Sequence, residues 1–140
     1  MATYTIENPR QFILAGRAFF TLQNIVTKKH LTFRVSKCDD KRMYFVSVCN
    51  SYDTFMFIGN LYANEDKTKF NFVKSKRLND ENEALSLKTF NWIKTEILEN
   101  CKNFLEMEFL HFGKCSVCGR KLTTPESIKI GIGPDCITRV

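Results

Sequence analysis

Ala18-Phe-Phe-Thr-Leu-Gln-Asn-Ile-Val26 and Leu31-Thr-Phe-Arg-Val-Ser-Lys37 flank the polar turn Thr27-Lys28-Lys29-His30. Both runs are rich in aromatic and β-branched residues, which suit a pleated, half-buried surface. Phe33 and Val35 alternate with polar neighbours at the period of a strand with one buried face. The short polar connection favours antiparallel pairing. The same texture continues outward. Met43–Val48 and Thr54–Tyr62 flank Cys49-Asn-Ser-Tyr-Asp53, and Phe70–Lys74 follows the polar stretch Asn64–Lys69. The chain therefore predicts an α+β fold built on a five-stranded antiparallel meander.

Before the sheet, Asn8-Pro9 followed by Gln11–Gly16 reads as a short helix. Asn8 caps it, Pro9 takes the first position and Gly16 ends it. After the sheet, Asn79 or Asp80 can cap a longer helix running to about Asn100. Phe90, Ile93, Ile97 and Cys101 would form its buried stripe. This one long helix is expected to cover the sheet. Phe104–Leu110 alternates again. It reads as a last strand delivering His111 to a metal, with a continued helix as the alternative. The chain thus divides into a sheet-plus-helix domain over 1–110 and a small module over 111–140 packed on it.

The composition is that of a globular protein, with 44% hydrophobic and 26% charged residues and 13 phenylalanines to supply a core. No run of about 18 apolar residues suggests a membrane span, and the N-terminus lacks a signal-peptide pattern. A reducing cytoplasm is expected, where closely spaced cysteines serve as metal ligands rather than disulfides. The formal charge is +6. Residues 1–77 carry 13 Lys and Arg against six acids, residues 78–110 three against seven, and residues 111–140 five against two. Two basic regions flank an acidic segment.

The tail holds the strongest chemical signal. Cys115-Ser-Val-Cys118-Gly119 has the spacing with which one tight turn presents two sulfurs to an ion, and Gly119 allows a positive φ after the pair. Cys136 follows Gly131-Ile-Gly-Pro134, where the chain can bend sharply. Between them, Thr124, Pro125 and Gly131 frame a short helix whose Ile128 and Ile130 can pack beneath the ion. His111 is the nearest histidine and the expected fourth ligand, with Cys101 as a rival. A closed Cys3His set binds Zn2+ structurally and leaves no position for substrate. Cys38, Cys49 and Cys101 read as ordinary buried or half-buried thiols.

His111–Cys136 resembles a family of small zinc-binding modules in phage and bacterial proteins of largely uncharacterised function. Their pattern is H-x-G-x-C-x-x-C-G-R-x-L-T-x-P-x-S-I-x-x-G-I-G-P-x-C. The match runs through Gly113, Gly119-Arg120, Leu122-Thr123, Pro125, Ser127-Ile128 and Gly131–Pro134, and covers about a fifth of the chain. The resemblance implies a zinc site and a phage-like source, hence a host cytoplasm. It brings no established activity.

No Gly-rich phosphate loop, HExxH or deaminase signature is present. The expectation is a non-enzymatic protein that takes no small-molecule substrate and binds DNA or RNA. Lys28, Lys29, Arg34, Lys37, Lys41 and Arg42, interleaved with Phe33 and Tyr44, would form one surface. Lys114, Arg120, Lys121, Lys129 and Arg139 around the ion would form a second. The alternative is a protein-interaction module that inhibits or modulates a host enzyme or defence complex, with acidic segment 80–108 as its contact surface.

Overall fold

The computed structural model describes residues 3–39, 42–49, 54–76 and 84–139. Lys41, the turn residues 50–53 and the expected helix caps Asn79 and Asp80 lie outside them.

Seven antiparallel strands form one sheet in the order β1-β7-β2-β3-β4-β5-β6. They are β1 (Tyr4–Thr5), β2 (Arg17–Asn24), β3 (His30–Lys37), β4 (Met43–Cys49), β5 (Phe55–Ala63), β6 (Phe70–Lys74) and β7 (Met107–His111). The meander of β2 to β6 occupies the predicted segments, but the sheet has seven strands rather than five. Strand β7 returns to pair with the free edge of β2, setting Leu22 opposite Phe109 and Phe20 opposite His111. Strand β1 then pairs with β7. At two residues, β1 is too short to show a periodicity of its own.

Helix α1 (Pro9–Ile13) is capped as expected, the Asn8 side chain accepting from the Gln11 N–H at 3.1 Å. It ends at Ile13, before Gly16, which turns into β2 at φ 133°. Among the described residues, no single long α-helix covers the sheet. Helix α2 (Ala84–Trp92) is nine residues long and widens into a seven-residue π-helical segment, Ile93–Glu99. The widened turn shows in Asn100 N–H donating to the Thr95 carbonyl, five residues back, at 3.0 Å. The segment buries both Ile97 and Leu98. Cys101, expected on the same stripe, lies beyond the helix end, exposed and at φ 53°. Among the described residues, no helix is long and apolar enough to cross a membrane.

The main core lies on one face of the sheet. Phe20, Leu22, Phe33, Val35, Tyr44, Val46, Ile58 and Leu61 meet Phe12, Phe90, Ile93 and Leu98 from the helical segments. Phe90 stands 5.6 Å from Phe33 and 4.9 Å from Phe72 between ring centroids. At Gly59, beside the register shift at Val46/Ser47, β5 passes closely under β6. A Cβ there would collide with the Val73 carbonyl and stand 2.9 Å from the Phe72 ring. Gly59→Ala should therefore lower stability by about 1–3 kcal/mol. A denaturant melt unchanged from the parent would show that the β5–β6 approach is looser than described.

Candidate functional site

After β7, the chain folds back on itself. The Cys115 N–H donates to the Arg120 carbonyl at 2.8 Å, the Gly119 N–H to the Cys115 carbonyl at 2.9 Å, and Gly119 sits at φ 81°. This tight turn presents Cys115 and Cys118 together. Helix α3 (Pro125–Ile130) follows, with Thr124 accepting from the Ser127 N–H at 3.3 Å and Gly131 closing it at φ 82°. A Cβ on Gly131 would stand 2.5 Å from the Phe12 ring, so only glycine fits there. Cys136 returns through Gly133 and Pro134. A second small core of Ala15, Cys115, Leu122, Ile132 and Cys136 forms, with Ile128 and Ile130 against it.

The Sγ atoms of Cys115, Cys118 and Cys136 lie within 4.8 Å of one another. Metal–sulfur bonds of about 2.3 Å place sulfurs of one coordination shell inside that reach. The Cys115 sulfur also accepts from the Val117 and Gly133 N–H groups at 3.4 and 3.3 Å. Burial alone would raise the Cys115 thiol. The backbone N–H groups of Gly133, Cys118 and Val117 outweigh it and hold the thiol below its usual range. Cys136 is pushed up to about 11 by burial and by the sulfurs of Cys118 and Cys115. Three crowded sulfurs with one readily ionised suit a cation, which relieves their mutual repulsion. The residues present can thus hold a metal ion.

The structure places His111 elsewhere. Its ring is fully buried in β7, 5.7 Å from the Phe12 ring and 5.4 Å from Tyr4. Nε2–H donates to the Ile128 carbonyl at 2.6 Å, and Nδ1 accepts from the Gly113 N–H at 3.0 Å. Both nitrogens are engaged with backbone, which fixes a neutral tautomer. The bonds tie the sheet to α3. Among the described residues, no fourth His, Cys, Asp or Glu joins the three sulfurs.

Among the described residues, the basic side chains stand in several places. Lys28 and Lys29 stand exposed at the β2–β3 turn. Lys37 lines a depression with Arg10 and Lys67. Arg120 and Lys121 flank a small depression beside the cysteines. Lys129 pairs with Glu7 at 3.7 Å. Phe33 and Tyr44 are buried in the core. The Tyr44 hydroxyl donates to the Leu14 carbonyl at 3.2 Å, and burial, partly countered by Arg10, pushes its pKa up to about 12.

The second face of the sheet carries what the sequence reading missed. Alternation in β2 and β3 places Arg17, Phe19, Thr21 and Gln23 beside Ser36, Arg34, Thr32 and His30. An open depression of about 620 Å³ lies there, lined by Phe19, Phe55, Phe112, His30 and Lys114 among others. Phe19 packs 4.5 Å from Phe112 and 5.3 Å from Phe55 between centroids. The Arg34 guanidinium lies 4.2 Å over the Phe55 ring. A hydrogen bond of 2.7 Å joins the Thr21 and Thr32 hydroxyls between them. The Arg17 side chain reaches from this face to the Cys118 carbonyl at 3.3 Å, linking it to the cysteine turn. The signal was present as the odd positions Arg17, Phe19, Thr21 and Gln23. The run Ala18-Phe19-Phe20 hid it by being apolar at both parities.

Residues 106–140, a quarter of the chain, match a family of unknown function (DUF6011). No curated protein and no solved structure matches the chain.

Two outcomes follow from the tail's geometry. Cys115→Ser and Cys136→Ser should each lose bound metal, whereas His111→Asn should keep the metal-to-chain ratio of the parent, measured by elemental analysis. Loss of metal in His111→Asn at unchanged folding would put His111 in the coordination shell. Burial, partly offset by the bond to Ile128, also holds the His111 pKa below the usual histidine value. The unfolded chain takes up that proton below about pH 6.5 and the folded chain does not. Stability contributed by neutral His111 is then complete above that pH and is lost as pH falls toward the folded pKa. Its imidazole resonances should titrate below the usual histidine value; titration above about 6.5 would contradict the buried, doubly bonded ring.

Proposed function

We propose that this chain is a small, non-enzymatic, zinc-bound protein that binds nucleic acid through basic and aromatic surface. One observation carries the reading: cations from both basic regions stand beside the half-buried aromatic cluster on the second sheet face. Arg34 comes from β3 and Lys114 from the cysteine module, and Phe19, Phe55 and Phe112 lie among them. Phosphates bind cations, and bases stack on aromatic rings.

Zinc is the ion that three thiolates in a small structural module suit best. A reducing cytoplasm would keep those thiols available. Bound metal would stabilise the module by roughly 10–16 kcal/mol, the scale known for zinc fingers at neutral pH. Its role here is to fix the turn that carries Lys114, Arg120 and Lys121. The fourth coordination position falls to a ligand other than His111.

The test is binding of labelled DNA and RNA by the metal-loaded protein across salt. Affinity should fall steeply as salt rises from roughly 50 to 200 mM. Failure to bind any nucleic acid at the lowest salt would sink the reading. A protein recovered from nuclease-treated lysate would then favour an interaction module.

A further inference from the structure

We infer that the open sheet face is a binding site for single-stranded nucleic acid, with unpaired bases stacked along Phe112, Phe19 and Phe55. This rests on the nucleic-acid reading above and narrows it to one class of ligand and one surface.

The first argument is steric. Phe19 lies on β2, Phe55 on β5 and Phe112 just after β7, on one face of a seven-stranded sheet. The major groove of duplex DNA admits an α-helix or a two-stranded ribbon, not a sheet face of this width. Paired bases also turn only their edges outward, whereas stacking needs an exposed base plane. Aromatic rings on a sheet face therefore suit unpaired bases.

The second argument is spacing. Phe112, Phe19 and Phe55 follow one another at 4.5 and 5.3 Å between centroids, across the strands rather than along one. The three rings form a compact cluster in which Phe19 stands between Phe112 and Phe55. The Thr21 and Thr32 hydroxyls and Gln23 lie beside it in the same depression. Each can donate to or accept from a base edge.

The third argument is charge. Lys114 stands at the Phe112 end, and Arg34 is already held over Phe55. A guanidinium stacked on one face keeps its donors in plane, ready for a phosphate oxygen. His30 also lines the depression, and no carboxylate does among the described residues. Glu108 stands opposite Gln23 on the register. A polyanion whose bases are free fits this pattern. An acidic peptide would satisfy the cations but leave the ring cluster without stacking partners.

The experiment uses the full-length, metal-loaded protein and fluorescence anisotropy. Probes of about 15 nucleotides, near the upper site size of a small fold, are presented as single-stranded DNA, single-stranded RNA and the matching DNA duplex. At least one single strand should bind tenfold or more tighter than the duplex. The two single-stranded arms show which sugar is preferred. Phe19→Leu, Phe55→Leu and Phe112→Leu keep apolar bulk but remove the ring, and each should weaken single-strand binding by about tenfold. Arg34→Gln and Lys114→Gln should each lower the slope of log affinity against log salt by about 0.7, one phosphate's share. Circular dichroism and thermal melts identify any variant that has lost its fold, and such a variant is replaced by the corresponding Phe→Met. Equal duplex and single-strand affinity, or ring variants that fold and bind like the parent, would overturn the inference and leave a nucleic-acid protein acting through another surface. Absence of binding to all three probes would overturn the broader reading as well.

Discussion

Strand β2 separates two environments with a period of two residues. Ala18, Phe20 and Leu22 enter the core beneath α1, α2 and the π-helical segment. Arg17, Phe19, Thr21 and Gln23 enter the other face, where they meet β3 residues of the same kind. A one-residue slip would exchange the two sets, burying Arg17 and exposing Phe20. The register is held from both sides, by β3 and by the returning β7. The sheet core, the position of the cysteine module and the aromatic cluster all follow from that strand's register.

The module is joined to this frame through buried contacts. His111 is the last residue of β7 and reaches the Ile128 carbonyl of α3. Phe12 of α1 stacks on the same ring and fills the space that Gly131 leaves. The Arg17 N–H donates to the Ser116 carbonyl at 2.6 Å, between the first two cysteines. The three sulfurs thus gather in a loop already anchored to β2 and β7. A metal bound there would not have to create the module's position; it would brace the cysteine turn, which follows directly on Lys114. Structure and proposed binding surface are therefore coupled through short, named contacts.

The sequence made the strands of the meander, both short capped helices and the cysteine set legible, since each rests on local chemistry: alternation, Asn8 and Thr124 caps, and CxxC spacing. It was less informative wherever a long-range partner decides. Two-residue β1 exists because β7 offers it an edge. The helix after residue 84 widens because the core accepts Ile97 and Leu98 together, which a regular stripe through Cys101 does not foretell. His111 has the right type and spacing for a ligand, yet its nitrogens are taken by Ile128 and Gly113. Adjacency along the chain groups Phe33 and Tyr44 with nearby lysines, yet both rings are buried in the core. Neighbours on a strand point to opposite faces, so the second face carries other rings, the half-buried Phe19, Phe55 and Phe112 among them.

The central claim is that nucleic acid occupies the face opposite the core. Chemical-shift mapping of the metal-loaded protein during titration with a single-stranded oligonucleotide tests it most directly. The account predicts that the largest changes fall on Phe19, Thr21, Thr32, Arg34, Phe55, Phe112 and Lys114, with the core residues and α2 little affected. Changes confined to the depression of Arg10, Lys37 and Lys67, or to the surface of α2, would contradict it.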